Sequence, residues 1–233
     1  MTALAVEQVW KYYGDFPALR GITFEARQGA CVALLGRNGA GKTTLLRILA
    51  GLSKPSKGAV RVLGRDCLSA EVRRTTGMLG HGIGIYDELT AAENLELFAR
   101  LYGVRGPRDA ARRWLARTGL NRVANSPARE FSRGMRQRLA VARAFLHEPE
   151  VLLLDEPFTA LDDRAIALLQ QLLREALAGG AAVVMSTHQL REALEMATNV
   201  ALLVRGRLAF AGPRTAEMLA DPAWLYRNYG DSA

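Results

Sequence analysis

The sequence predicts an α/β fold in which a mostly parallel sheet is covered by helices. Short apolar runs of strand length, "GACVALLG", "VLLLDE" and "AAVVMST", recur along the chain. Segments with helical spacing separate them, such as "KTTLLRILAGL" and "DDRAIALLQQLLREALAGG". Alternation of this kind gives parallel strands joined by crossover helices.

Taken in order, "GACVALLG" ends in glycine and reads as a buried strand entering a turn. Leu45, Leu46, Ile48 and Leu49 then repeat at helical spacing until Gly51 stops the pattern. From about residue 85 the character changes. "ELTAAENLELFARLYG" opens with a capping box, Thr90-x-x-Glu93, and predicts a helix reaching Gly103. "DAARRWLARTGL" predicts a second helix, and the polar "NRVANSPAREFS" a connection. Ser132 is a good N-cap for a third helix, whose buried face carries Leu139, Ala142 and Leu146. This stretch has no strand-like run and reads as a helical insertion. Strands return at "VLLLDE", "AAVVMST" and "NVALLVRGRLAFAG". Between the first two, Ile166, Leu169, Leu173 and Leu177 share one helix face, and Gly179-Gly180 ends it. The C-terminal "MLADPAWLYRNYGDSA" is too short for an added regulatory domain.

The chain has 233 residues, 49% apolar and 23% charged, an ordinary globular balance. No apolar run approaches the roughly 18 residues of a membrane span, and the N-terminus carries no secretory signal. Cys31 and Cys67 lie far apart without metal-ligand spacing, as expected in a reducing compartment. The net charge of +8 is spread over local arginine clusters rather than gathered in one tail, and reads as a solvated basic surface.

The chemistry is concentrated in four places. Gly36-x-x-x-x-Gly41-Lys42-Thr43 is a phosphate-binding loop, and a strand before it and a helix after it give the required context. Its backbone N–H groups and the helix N-terminus suit an anion. Lys42 supplies a charge for β and γ phosphates, and Thr43 a hydroxyl for Mg²⁺. Asp155 and Glu156 end a buried strand, at the sheet edge where ligands of such folds bind. Asp155 suits the Mg²⁺ shell, through water, and Glu156 the general base. His188 closes a strand of the same direction and suits a γ-phosphate contact. Finally, Ser132, Gly134 and a helix N-terminus form a second anion site. One triphosphate needs one phosphate loop, so the second site makes sense if it serves the nucleotide of another copy.

Phosphate loop, serine-glycine signature, "LLLDEP", "TALD" and terminal "STH" occur in the order and spacing of ATP-binding cassette (ABC) ATPases, and the resemblance covers essentially the whole chain. It implies one nucleotide-binding domain with a core at 1–84 and 141–233, a helical subdomain at 85–140, and an N-terminal antiparallel β element. It implies a head-to-tail dimer in which the loop of one copy and the signature of the other sandwich each ATP. Gly36, Arg37, Asn38, Gly39, Ala40, Gly41, Lys42, Thr43 and Thr44 would hold the phosphates and Mg²⁺. Tyr13 would stack on the adenine, with Tyr12 as the competitor. Ser132 and Gly134 would reach the partner's γ-phosphate, Asp162 would couple the two sites, and Lys42, Glu156 and His188 would carry the catalysis.

Two departures stand out. The signature reads Phe131-Ser132-Arg133-Gly134-Met135, without the usual glutamine, which implies slower or altered hydrolysis. His81 falls where the family places a glutamine that touches Mg²⁺ and the membrane partner; a one-residue shift gives Gly82 instead. An imidazole can replace the amide in part, or His81 only fills space. The resemblance is to exporter-type subunits that dock peripherally, at the cytoplasmic face of the inner membrane, on separate transmembrane subunits. The docking face would be the helical insertion with loop 81–90. "LGHGIG" is similar in particular to the haem-exporter ATPase of cytochrome c maturation; lipids, drugs or polysaccharide are the competing cargoes. A soluble cassette ATPase on an assembly scaffold, as in iron–sulfur cluster assembly, is the alternative. A single cassette with two distant cysteines argues against a nucleic-acid partner.

Overall fold

The computed structural model describes residues 1–80, 84–159 and 161–230. Strands β1 (Thr2–Tyr13) and β2 (Phe16–Arg27) form a hairpin, followed by β3 (Cys31–Leu35), helix α1 (Lys42–Leu49), β4 (Lys57–Val62), β5 (Arg65–Asp66), α2 (Ala70–Thr75) and β6 (Thr76–Leu79). Three helices follow, α3 (Ala91–Leu101), α4 (Pro107–Arg117) and α5 (Arg133–Phe145), with short 3-10 turns before α5. The chain then alternates through β7 (Val151–Asp155), α6 (Asp163–Ala178), β8 (Ala182–Ser186), α7 (Leu190–Met196), β9 (Asn199–Val204) and β10 (Arg207–Pro213), and ends in α8 (Ala216–Ala220) and α9 (Trp224–Tyr229).

Two sheets result. The larger has strand order β10-β9-β3-β8-β7-β6, parallel throughout except for β10. Every residue of β3, β7 and β8 is buried, as expected for strands covered on both faces. Alternate residues of β3 divide the interior. Cys31, Ala33 and Leu35 face a core shared with α3 to α7, whereas Val32 and Leu34 face one shared with α1 and the second sheet. That second sheet, β2-β1-β4-β5, is antiparallel.

The predicted α/β class and mostly parallel core are what the structure has, and the antiparallel N-terminal sheet is present as well. "NVALLVRGRLAFAG" forms two antiparallel strands rather than one. Arg205 and Gly206 both take positive φ, 46° and 80°, and turn the chain back on itself. The first predicted insertion helix ends two residues before Gly103, at Leu101 with Tyr102 as its C-cap. The loop before α3 is fastened by fully buried Asn94. Its amide oxygen accepts from the Tyr86 N–H (2.8 Å), and its amide nitrogen donates to the carbonyls of Tyr86, Leu89 and Thr90 (3.0–3.2 Å).

Candidate active site

The glycine loop lies where the sheet opens. Gly36 has φ 150°, and a Cβ there would lie 2.5 Å from the Leu203 carbonyl oxygen. Gly41, at φ 108°, would meet Ala18 O at 2.8 Å. Neither position accepts a side chain, so the loop can wrap an anion only with glycine at these points. The Lys42 side chain is 7% exposed, and Nζ donates to the carbonyls of Gly36 (2.7 Å) and Arg37 (3.4 Å). Burial pulls its pKa below the usual lysine range, while the charges of Glu156 and Asp155 oppose that shift.

Asp155 ends β7 with both carboxylate oxygens engaged. Thr43 Oγ1 donates to Oδ2 at 2.8 Å, and the Ser186 hydroxyl of the neighbouring β8 donates to Oδ1. One carboxylate beside one hydroxyl is a hard-oxygen pair. It fits a Mg²⁺ ion that keeps waters and takes its remaining ligands from phosphates. Among the described residues no cluster of three or more histidine, cysteine or acidic side chains could hold a metal ion by itself.

Glu156 follows with a φ of 52°, a left-handed conformation uncommon for a side chain of this kind. Its N–H donates to Ser186 O (2.8 Å), and its carboxylate Oε2 lies 2.8 Å from Nδ1 of His188 and accepts the His188 N–H at 3.2 Å. The strained backbone therefore aims the carboxylate away from the sheet and towards the end of β8.

These groups line a cleft of about 580 Å³ that runs from Tyr13, Phe16 and Ala18 past residues Asn38 to Thr44, and on to Asp155, Glu156, Thr159 and His188. Tyr13 is 51% exposed on it, whereas the Tyr12 ring stacks on Trp10 at 6.1 Å between centroids, almost coplanar. Of the two tyrosines, Tyr13 is the one on the cleft. Phe16, opposite Tyr13 across the hairpin, is a second exposed aromatic there that the sequence did not single out.

Ser132 and Gly134 are not on that cleft. Ser132 caps α5, its Oγ accepting from the Met135 N–H at 3.2 Å. The first turns of α5 face Asp155 and Glu156 across a second, smaller cleft of about 390 Å³, through Arg133, Arg136 and Gln137. Asp162 caps α6 by accepting the Ala165 N–H at 2.8 Å, a local role sufficient to explain its residue type. His81 and Gly82 lie outside the described residues.

Residues 19–159, more than half of the chain, match the family model described as ABC transporter. The chain belongs to the ABC transporter family. Its match ends before Asp162 and His188. Among relatives, this ABC subunit is 39% identical over 91% of its length to a daunorubicin resistance ATP-binding protein of Streptomyces coeruleorubidus, covering 68% of that protein. It is 36% identical over 88% of its length to a Nod factor export ATP-binding protein of Ralstonia nicotianae, covering 65% of it. With the ABC transporter ATP-binding protein NatA of Bacillus subtilis it shares 36% identity, over 84% of this chain and 81% of that one. The ABC subunit thus spans about two thirds of the length of the first two relatives. Among solved structures it resembles an ATP-binding subunit of an ABC transporter, with TM-score 0.86, 32% identity and coverage of 98% and 93%. It also resembles a dimeric ATP-binding cassette in a post-hydrolysis state with ADP and Pi, with TM-score 0.83, 28% identity and coverage of 91% and 99%. The chain is an ATP-binding ABC ATPase subunit. None of these relatives' names concerns haem.

Proposed function

We propose that this subunit hydrolyses Mg²⁺–ATP in the cleft between Tyr13 and His188 and powers a membrane exporter. The observation that carries the reading is the convergence of loop and carboxylates. Thr43 touches Asp155, and Glu156, one residue on, faces His188 beside the same phosphate loop. The loop residues Gly36, Arg37, Asn38, Gly39, Ala40, Gly41, Lys42, Thr43 and Thr44 hold the phosphates. Thr43 and Asp155 hold Mg²⁺, which neutralises charge on the β and γ phosphates when bound. Glu156 accepts the proton of the attacking water, and His188, whose Nδ1 is turned towards Glu156, presents Nε2 to the γ-phosphate. Tyr13 supplies a ring face for the adenine, with Phe16 beside it.

The active unit in this reading is a head-to-tail dimer. Ser132 and Gly134, at the N-terminus of α5 and off the chain's own cleft, meet the γ-phosphate of the partner's ATP, and Asp162 lies at the junction. The dimeric state of the solved cassette it resembles supports this. The core comprises residues 1–84 and 141–233, and the helical subdomain 85–140 docks peripherally on transmembrane subunits. The described residues contain no helix long and apolar enough to cross a membrane, so the translocation path belongs to a partner. Export is the direction favoured by the names of the relatives, which concern daunorubicin resistance and Nod factor export. An organic amphiphile or drug-like molecule is therefore the preferred cargo class over haem, and the likeness to haem exporters rests on the short stretch around His81.

Steady-state ATP hydrolysis by the purified subunit, with and without Mg²⁺, tests the chemistry. Capture of the tagged subunit from its native membranes in mild detergent tests the partner. Multi-span proteins in the capture support the exporter, cytochrome c maturation proteins among them would restore haem, and a soluble scaffold alone would overturn transport.

A further inference from the structure

The signature end of α5 and the strained turn after β7 are joined by one side-chain hydrogen bond. Gln137 Nε2 donates to the carbonyl of Pro157 at 3.2 Å. Pro157 directly follows Glu156, the residue held at φ 52°. The same turn is closed by the Thr159 N–H donating to Glu156 O at 3.2 Å. Gln137 lies little more than one helical turn beyond the Ser132 cap, on the side of α5 that faces Asp155 and Glu156 across the smaller cleft. A left-handed conformation in a residue with a side chain persists only when its surroundings over-determine it. Among the hydrogen bonds of the described residues, the Gln137 contact is the restraint on this turn that comes from the helical insertion, whereas those of the Ser186 carbonyl of β8, the Thr159 N–H and His188 come from the sheet or the turn itself.

We propose that Gln137 is a positioning residue. It holds the Pro157 carbonyl so that the Glu156 carboxylate points at the attacking water, and it links that orientation to the position of α5. When a phosphate engages Ser132, any shift of α5 reaches Glu156 through this bond, so the nucleotide bound at the signature sets the base that serves the chain's own nucleotide. The inference rests on the reading of Glu156 as the base.

The test uses the intact subunit with Gln137→Glu and Gln137→Met, which remove the donor with and without adding charge, and Gln137→Lys, which restores a donor of similar reach. ATP dissociation constants, kcat and melting temperature are measured for each. We expect kcat to fall about tenfold in the Glu and Met variants while ATP affinity stays within about twofold, the signature of an interaction that acts beyond ground-state binding. The Lys variant should recover most of the rate. In a Glu156→Gln background the Gln137→Met change should have little further effect on residual hydrolysis, because both act through one group. Wild-type kcat in the Met variant, or additive losses in the double variant, would overturn the proposal. So would a fall in melting temperature and affinity that parallels the loss of rate. If instead Glu156→Gln alone hydrolyses ATP at the wild-type rate, it is the underlying assignment of the base that fails.

Discussion

Glu156 and His188 face each other at 2.8 Å across the ends of β7 and β8, and the carboxylate is aimed there by a backbone φ of 52°. Glu156→Gln keeps the size and the fold of this contact but cannot take a proton. ATP hydrolysis should fall by about 10²–10³-fold while ATP affinity stays near wild type. A coupled-enzyme assay and equilibrium binding of a fluorescent nucleotide separate the two quantities; loss of both together would contradict the base role.

The two adjacent tyrosines provide an internal control. Tyr13 lies exposed on the cleft, whereas Tyr12 is stacked on Trp10 and its N–H donates to Ser56 Oγ. Tyr13→Ala should weaken ATP binding by roughly tenfold, the loss of about 1–2 kcal/mol of ring stacking. Tyr12→Ala should lower the melting temperature and leave affinity nearly unchanged. Isothermal titration with ATP and thermal unfolding of both variants give the comparison.

Asp155→Asn removes the charge from the Thr43–Asp155–Ser186 group while preserving its shape. The variant should require roughly tenfold or more additional Mg²⁺ for half-maximal hydrolysis if, as proposed, the Thr43–Asp155 pair holds the cation, because the pair would lose its charge. A Mg²⁺ titration at saturating ATP measures the shift.

His147, stacked on Tyr102 at 3.7 Å between ring centroids, has its pKa pushed down to about 4, chiefly by burial and further by the Arg143 cation. The folded state therefore keeps the imidazole neutral where the unfolded chain, near pKa 6.5, already binds a proton. Stability from this group is complete above pH 6.5 and is lost as pH falls towards 4, by at most about 3 kcal/mol. His147→Phe retains a stacking ring and should flatten that part of the melting-temperature profile between pH 7 and pH 4.5.

Asn94 lies within hydrogen-bond distance of four backbone groups of the loop between β6 and α3 from a fully buried position. Asn94→Leu takes the Asn94 acceptor from the Tyr86 N–H, whereas the three carbonyls keep the N–H groups of Leu89, Ala128 and residue 94, and it should destabilise the chain by about 1–3 kcal/mol. Chemical denaturation measures it directly.

The parallel core was readable because strands buried on both faces are written as unbroken apolar runs. "VLLLD" and "AVVMS" leave few alternatives between two helical patterns. Strand β1 was not readable in this way. Gln8, at φ 47°, interrupts the pairing with β2 between Val6 and Val9, so "TALAVEQVWKYY" lacks a regular alternation. The β9–β10 hairpin was hidden by its turn, Arg205-Gly206, which lacks the asparagine or aspartate that usually announces one. In the site, the loop and the Asp155-Glu156 pair were legible because their chemistry fixes residue type and spacing together. Phe16 and Gln137 were not. Phe16 belongs to the nucleotide cleft through hairpin pairing and Gln137 to the smaller cleft through the packing of α5, and neither relation leaves a mark in the local sequence.

Cys31 and Cys67 are both buried, and burial pushes their thiols up to about 12 and 11. At neutral pH almost none of either is thiolate, the form that reacts with alkylating reagents. Both thiols should therefore react with maleimide dyes far more slowly than an exposed cysteine would. A single cysteine introduced at exposed Asp15, in the turn between β1 and β2 near the nucleotide cleft, or at exposed Glu130, just before the signature, would take a fluorophore selectively in the otherwise native chain. Energy transfer between two such labelled preparations, once mixed, would report whether one copy's loop approaches the other copy's signature during turnover.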